Sequence, residues 1–146
     1  MIRVTVGAIL ALALSVLLAA CSTEQSAAKP ADPETILGAL ATPDPAQYDR
    51  IQEMKQWRNP YLIVRADGIA LYDSADSAEI ILKPQEVVPQ LAKLPASNWP
   101  YGRVVAATEA RNQASERDGI AVRRNRGIVG GLLERAHVAI KWVPSI

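Results

Sequence analysis

The chain has 146 residues, with 16 Lys and Arg against 15 Asp and Glu, for a formal net charge of +1. That balance gives no electrostatic reason to expect nucleic-acid binding. One cysteine and one histidine rule out an intramolecular disulfide and leave no ligand set for zinc, and no fingerprint names a cofactor.

Met1 to Arg3 carry one positive charge, and Val4 to Leu18 is almost wholly apolar. Small residues follow, then Cys21. A charged start, a short apolar run and small residues at the cut are the pattern of a secretory signal. Leu18-Ala19-Ala20-Cys21 resembles the lipobox of bacterial lipoproteins. The resemblance implies cleavage after residue 20, a diacyl group on the Cys21 sulfur and a further acyl chain, such as palmitate, on its new amino group. The other reading is an uncleaved membrane helix. The 17 residues of Val4 to Ala20 stand at the lower end of the length that crosses a bilayer. With two or more acyl chains the anchor would be effectively permanent.

Cleavage would leave 126 residues, enough for one modest domain. There is no Phe, so the core must come from Val, Ile, Leu and Ala with a few Trp and Tyr. Charge is uneven: residues 22–81 hold ten acids and five bases, residues 103–141 four acids and eight bases.

The expected organisation is a signal peptide at 1–20, a flexible tether at 21–31, N-terminal helices at 32–58 and an α+β domain at 59–146. Ser22 to Ala31 is polar, small and aperiodic, and would reach roughly 30 Å when extended. Ser22 after the cysteine resembles lipoproteins sent to the outer membrane rather than kept at the inner one, if the cell is Gram-negative. Asp32-Pro33-Glu34 and Asp44-Pro45 each open a helix. In the second, Tyr48, Ile51, Met54 and Trp57 form a packing stripe at three-residue spacing, which Asn59-Pro60 ends.

Tyr61–Ala66, Asp67-Gly68 and Ile69–Tyr72 read as a β-hairpin with a two-residue turn. The expected pairs are Ala66 with Ile69, Val64 with Leu71 and Leu62 with Asp73. Leu62, Val64, Ile69 and Leu71 then share a face that lies under helices. Asp73 to Glu79 is an acidic loop. It lacks the central Gly and closing Glu that calcium loops place at set positions, so it reads as a solvated turn. Ile80-Ile81-Leu82 is a short strand candidate. A helix follows from Lys83-Pro84, with Val87, Val88, Leu91 and Leu94 on one side. Arg103–Thr108 is a strand candidate, although residues 104–114 could equally run as helix. Gly119–Val122 reads as a short strand, Gly127–Ala136 as a helix and 138–143 as the last strand. Gly130-Gly131 costs about 2 kcal/mol against two alanines, easier to accept if that helix sits very close to the sheet. The expected fold is therefore α+β: a small mixed sheet, with hairpin 61–72 and C-terminal strand 138–143, and helices on one face.

Catalytic groupings are scarce. His137 stands between a helix and a strand with no Gly-framed serine, so a hydrolase is the least favoured reading and the chain is expected to be non-enzymatic. Two surfaces invite a partner. Arg123, Arg124 and Arg126 stand where the Gly127–Ala136 helix is expected to begin. Guanidinium groups and free N–H groups could there hold an anion such as a peptidoglycan carboxylate or a lipid phosphate. The alternative is a solvated turn facing the acidic half of the chain. Trp99, Tyr101 and Arg103 form either an exposed partner surface or a loop folded back on the core.

Val64 to Leu71, Pro100 to Val105 and Gly131 to Val143, in the order hairpin, helix, strand, helix, strand, resemble the periplasmic domain of the ExbD/TolR family of accessory subunits in proton-driven envelope motors. That likeness covers about 80 residues. It implies a periplasmic binding or dimerisation module, with peptidoglycan or an envelope protein as partner and room for a homodimer. It departs in two ways. The family's N-terminal membrane helix carries an aspartate, whereas Val4 to Ala20 has no acid; and the family's Pro-Tyr segment opens a helix. The motor role therefore does not carry over.

Overall fold

A computed structural model of the chain describes residues 29–73, 78–111 and 113–144. The signal segment, Cys21, most of the tether and the centre of the acidic loop lie outside the described residues. The fold is α+β, as expected, and is built around a mixed five-stranded sheet.

The sheet grows from the hairpin. Strand β1 (Tyr61–Val64) and strand β2 (Ile69–Asp73) pair antiparallel, Val64 facing Ile69 and Leu62 facing Leu71. The turn differs from expectation. Arg65 N–H donates to the Gly68 carbonyl at 2.8 Å, so Ala66 and Asp67 are the loop and every pair shifts by two residues. A shift of two preserves side-chain parity, and Leu62, Val64, Ile69 and Leu71 still share one buried face. Gly68 follows the turn at the ladder's end, where a Cβ would stand 2.5 Å from the Leu82 carbonyl oxygen.

Strand β3 (Ala78–Leu82) adds antiparallel to β2. Pro84–Glu86 then turns in 3₁₀ form, with the Glu86 carboxylate accepting the Lys83 N–H at 2.8 Å. Helix α3 (Val87–Leu91) follows directly and buries Val87, Val88 and Leu91. Pro89 falls in its first turn, where a missing N–H costs little. Residues 104–109 are strand β4, parallel to β1; Val105 and Ala107 turn to the helices. Strand β5 (Ala139–Trp142) lies parallel to β4, and the sheet order is β3-β2-β1-β4-β5.

The segment expected as a strand at Gly119–Val122 is helical. Helix α4 runs from Glu116 to Arg135, 20 residues, and buries Gly119, Val122, Asn125, Val129 and Leu133 at spacings of three and four. Its start is set by Ser115, whose Oγ accepts the Asp118 N–H at 3.2 Å. Its end is a two-bond lock. His137 N–H donates to the Glu134 carbonyl at 3.0 Å and Val138 N–H to the Leu133 carbonyl at 2.9 Å. This places His137 at φ +56°, the left-handed position that glycine usually fills. His137→Gly should therefore leave the fold intact and raise stability by about 0.5–1 kcal/mol, read as an upward shift of the urea midpoint with unchanged slope.

Both sheet faces are covered. On one side α1 (Pro33–Gly38), α3 and α4 close over Leu62, Val64, Ile69, Leu71, Val105, Ala107 and Val138. On the other, Tyr48 and Trp57 bury against Tyr61, Val104 and Ala106, with Ile51 and Met54 packed beside them. The three-residue stripe therefore does pack together, but not as one helix. Helix α2 spans only Pro45–Tyr48, and a separate 3₁₀ turn covers Met54–Gln56. The break has a tertiary cause: Lys141 Nζ donates to the carbonyls of Tyr48 and Asp49 at 2.6 and 2.7 Å. The Tyr48 oxygen also accepts the Ile51 N–H at 2.9 Å in one tight turn, and the Asp49 oxygen takes the ammonium.

Candidate functional site

Trp99, Tyr101 and Arg103 are turned inward, and this corrects their reading as a partner surface. Trp99 is 4% exposed, in the core under the helices. The Tyr101 hydroxyl donates to the Gln56 carbonyl at 3.3 Å, and Arg103 Nη1 donates to the Gly38 carbonyl at 3.0 Å, closing the end of α1. The loop is held from below by Asn59, which is fully buried. Asn59 Nδ2 donates to the carbonyls of Gly102 and Val104 at 2.7 Å each, and its Oδ1 accepts the Tyr101 N–H at 3.0 Å. Gly102 has φ +76°, and a Cβ there would stand 2.6 Å from the Ala41 carbonyl oxygen. The aromatic-rich loop is thus a clamp on residues 38–59. Its breaker residues serve that geometry.

The aromatic cluster behind the sheet has the same purpose. Tyr48, Trp57 and Tyr101 rings meet at centroid distances of 5.3 to 6.2 Å, and Lys141 Nζ stands 5.7 Å from the Tyr48 ring. Lys141→Met keeps the side-chain length but leaves two carbonyls without their cation. It should cost about 1–3 kcal/mol and raise proteolytic cleavage within residues 44–57 before the sheet opens. Burial pushes the Tyr61 phenol above its ordinary value, and burial followed by Asp49 and Asp44 does the same for Tyr48. Both are neutral in the folded state, so their contribution is complete below the unfolded tyrosine value and is lost as pH rises beyond about 10.

The three arginines stand in the interior of α4, two to three turns past its start, which corrects the helix-start premise. The true N-terminus holds Glu116 and Asp118, the signs the helix dipole favours there. Nor do the three side chains converge. Arg126 Nη1 pairs with Glu109 Oε1 at 2.5 Å, and its guanidinium lies 4.2 Å from the centre of the Trp142 ring. Arg123 reaches back along the helix toward Gly119. Arg124 alone of the three faces the open cleft of about 850 Å³ between the hairpin tip and the first half of α4, lined also by Asp67, Glu116, Arg117, Asp118 and Ile120. A second hollow on the other side of Arg124 is bordered by Lys83 and Gln85. Asn125 fixes the walls: its Nδ2 donates to the Arg65 carbonyl at 2.8 Å, tying the hairpin tip to α4. The cleft is mixed in charge, suited to a polar partner with both donors and acceptors.

His137 is exposed at the helix end. Among the described residues no three of His, Cys, Asp and Glu gather as a metal site, and no helix is long and apolar enough to cross a membrane. No family model, curated protein or solved structure matches this chain.

The residues that shape this face escaped sequence reading because each is one polar residue in an apolar setting. Asn59 reads as a helix stop before Pro60. Lys141 stands alone in Ala139-Ile140-Lys141-Trp142. Asn125 falls on the stripe of Val122, Val129 and Leu133, and that phase was the available signal.

Proposed function

We propose that this chain is a cell-envelope lipoprotein, attached through lipid on Cys21, whose folded unit serves as a non-enzymatic binding or scaffolding module. The observation that carries the reading is Leu18-Ala19-Ala20-Cys21 directly after a 15-residue apolar run from Val4 to Leu18, with the sole cysteine at the lipid position. Attachment is to the periplasmic face, at the outer membrane if the cell is Gram-negative. The cleft beside Arg124 supports a binding role: it is open and presents both charges. Its partner is an envelope protein or peptidoglycan, whose peptides carry both carboxylates and amines.

A second reading is a structural accessory subunit of an envelope complex, as the ExbD/TolR likeness implies. The succession of hairpin, α3, β4, α4 and β5 favours it, with strand β3 standing between the hairpin and α3.

Cell fractionation tests the anchor. The intact chain should stay with membranes through a high-salt wash and leave them in detergent, while Cys21→Ser should accumulate as an unprocessed precursor. Retention of the detergent-solubilised chain on peptidoglycan or immobilised envelope extract tests the cleft. Arg124→Glu should reduce retention several-fold, and unchanged retention would remove the cleft from the account.

A further inference from the structure

The sheet ends on an open strand. β3 pairs with β2 on one side, and no described residue pairs with the other. Natural edge strands are commonly guarded by lysine, proline or a bulge. β3 reads Ala-Glu-Ile-Ile-Leu, and Ile80 and Ile81 are 44% and 51% exposed.

The hydrogen-bond phase of this edge follows from the hairpin. Arg65 N–H donates to the Gly68 carbonyl, which puts these two residues at a hydrogen-bonding position of the ladder. Alternation along an antiparallel ladder then directs the backbone groups of Ala70 and Tyr72 to β1, and those of Ile69, Leu71 and Asp73 to β3. Their partners are Leu82, Ile80 and Ala78. The N–H and C=O groups of Glu79 and Ile81 therefore point out of the sheet. The Glu79 carboxylate is paired with Arg65 Nη2 at 2.7 Å, so covering the edge buries no lone charge.

We infer that a second copy of this chain adds to β3, antiparallel, with Ile80 on the two-fold axis. In this register the strand overlays its own limits: Ala78 faces the partner's Leu82, Glu79 faces the partner's Ile81, and Ile80 faces the partner's Ile80. All outward groups of Glu79 and Ile81 find partners in two hydrogen-bonded pairs. Ile80 meets its mate in the closer, non-hydrogen-bonded pair. Moving the axis to Ile81 would need the Lys83 N–H, which the Glu86 carboxylate already holds. The self-match of length, phase and apolar character favours a second copy over an unrelated peptide.

The axis runs perpendicular to the sheet, so the helical faces of both copies look the same way. Residues 29–36 lie against Pro89, Ala92 and Lys93 of the α3 region, on that helical face. Both tethers then leave one side of the dimer, as two anchors in one membrane require. This orientation rests on the lipoprotein reading; the strand pairing does not. The interface is small, and confinement to one membrane raises the effective concentration that a small interface needs.

The test is disulfide trapping of the full-length chain in isolated envelopes. Ile80→Cys should give a dimer on non-reducing gels after mild oxidation, several-fold above Ile120→Cys, a more exposed position on α4. Adding Ile81→Glu, at a solvent-exposed site the monomer does not need, sets a carboxylate opposite the partner's Glu79 and should reduce the Ile80→Cys dimer several-fold. A dimer band no stronger than that of Ile120→Cys, or one indifferent to Ile81→Glu, overturns the pairing. A dimer formed through Cys21 itself would mean a free thiol there and would contradict the anchor, not the edge; the same comparison in a Cys21→Ser background then reads the edge alone.

Discussion

Replacing Gly127, Gly130 and Gly131 together by alanine should stabilise the protein by roughly 2–3 kcal/mol and raise its melting temperature by about 8–15 °C. All three are interior to α4, where glycine loses more backbone freedom on folding than alanine and fills no space in return. The expectation that Gly130 and Gly131 permit close approach to the sheet is not met: a Cβ at any of the three meets nothing within 4 Å. Each substitution should contribute separately, since none creates a contact that another would crowd. Calorimetry of the three single variants and the triple variant reads the sum directly. A triple variant no more stable than the parent would mean that these positions touch something beyond the described residues.

Asn59→Ala should be the most damaging single change at the clamp, costing about 3–4 kcal/mol. It strands the Val104 carbonyl and the Tyr101 N–H, leaves the Gly102 carbonyl with the Val104 N–H alone, and opens a cavity that cannot collapse beneath β4. Asn59→Asp is the sharper comparison because its shape is the same. An ionised carboxylate cannot donate, and two carbonyl oxygens would face it. Its acid would be held above the ordinary range, so the folded state would keep a proton that the unfolded chain releases. The penalty should therefore be smallest below about pH 4 and grow as pH rises. Denaturant melts of Asn59→Ala and Asn59→Asp across that range separate loss of the hydrogen bonds from the added charge. A loss below 1 kcal/mol in Asn59→Ala would show that residues 100–104 hold their course without it.

The parts of the fold that were legible are those written in local periodicity. The alternation of Leu62, Val64, Ile69 and Leu71 survived a two-residue error in the turn because parity is insensitive to it. Ile80-Ile81-Leu82 and Lys83-Pro84 announced a strand and a helix start through β-branched and capping residues. What was not legible depends on distant groups. Helix α4 looked like three pieces because Gly119 and the arginines broke its apolar run, and only the stripe through Asn125 joins them. The second helix ended early where Lys141, 92 residues from Asp49, takes the Asp49 carbonyl. Trp99 and Tyr101 could have been exposed or buried on composition alone. The Asn59 anchor and positive φ at Gly102, which turn them inward, belong to the folded backbone. For the candidate site, the arginine triplet was visible in sequence, but the direction of each side chain follows from helix phase: Arg126 is committed to Glu109 and Trp142, and Arg124 alone of the three is left facing the cleft.

Everything proposed about function depends on attachment at Cys21, and intact-mass analysis of the chain extracted from membranes tests that most directly. The account predicts a mature protein beginning at Cys21, heavier than residues 21–146 by a diacylglyceryl group and an amide-linked fatty acid, with all added mass on the N-terminal peptide. A chain that retains Met1, or one that begins at Cys21 with an unmodified thiol, would contradict it.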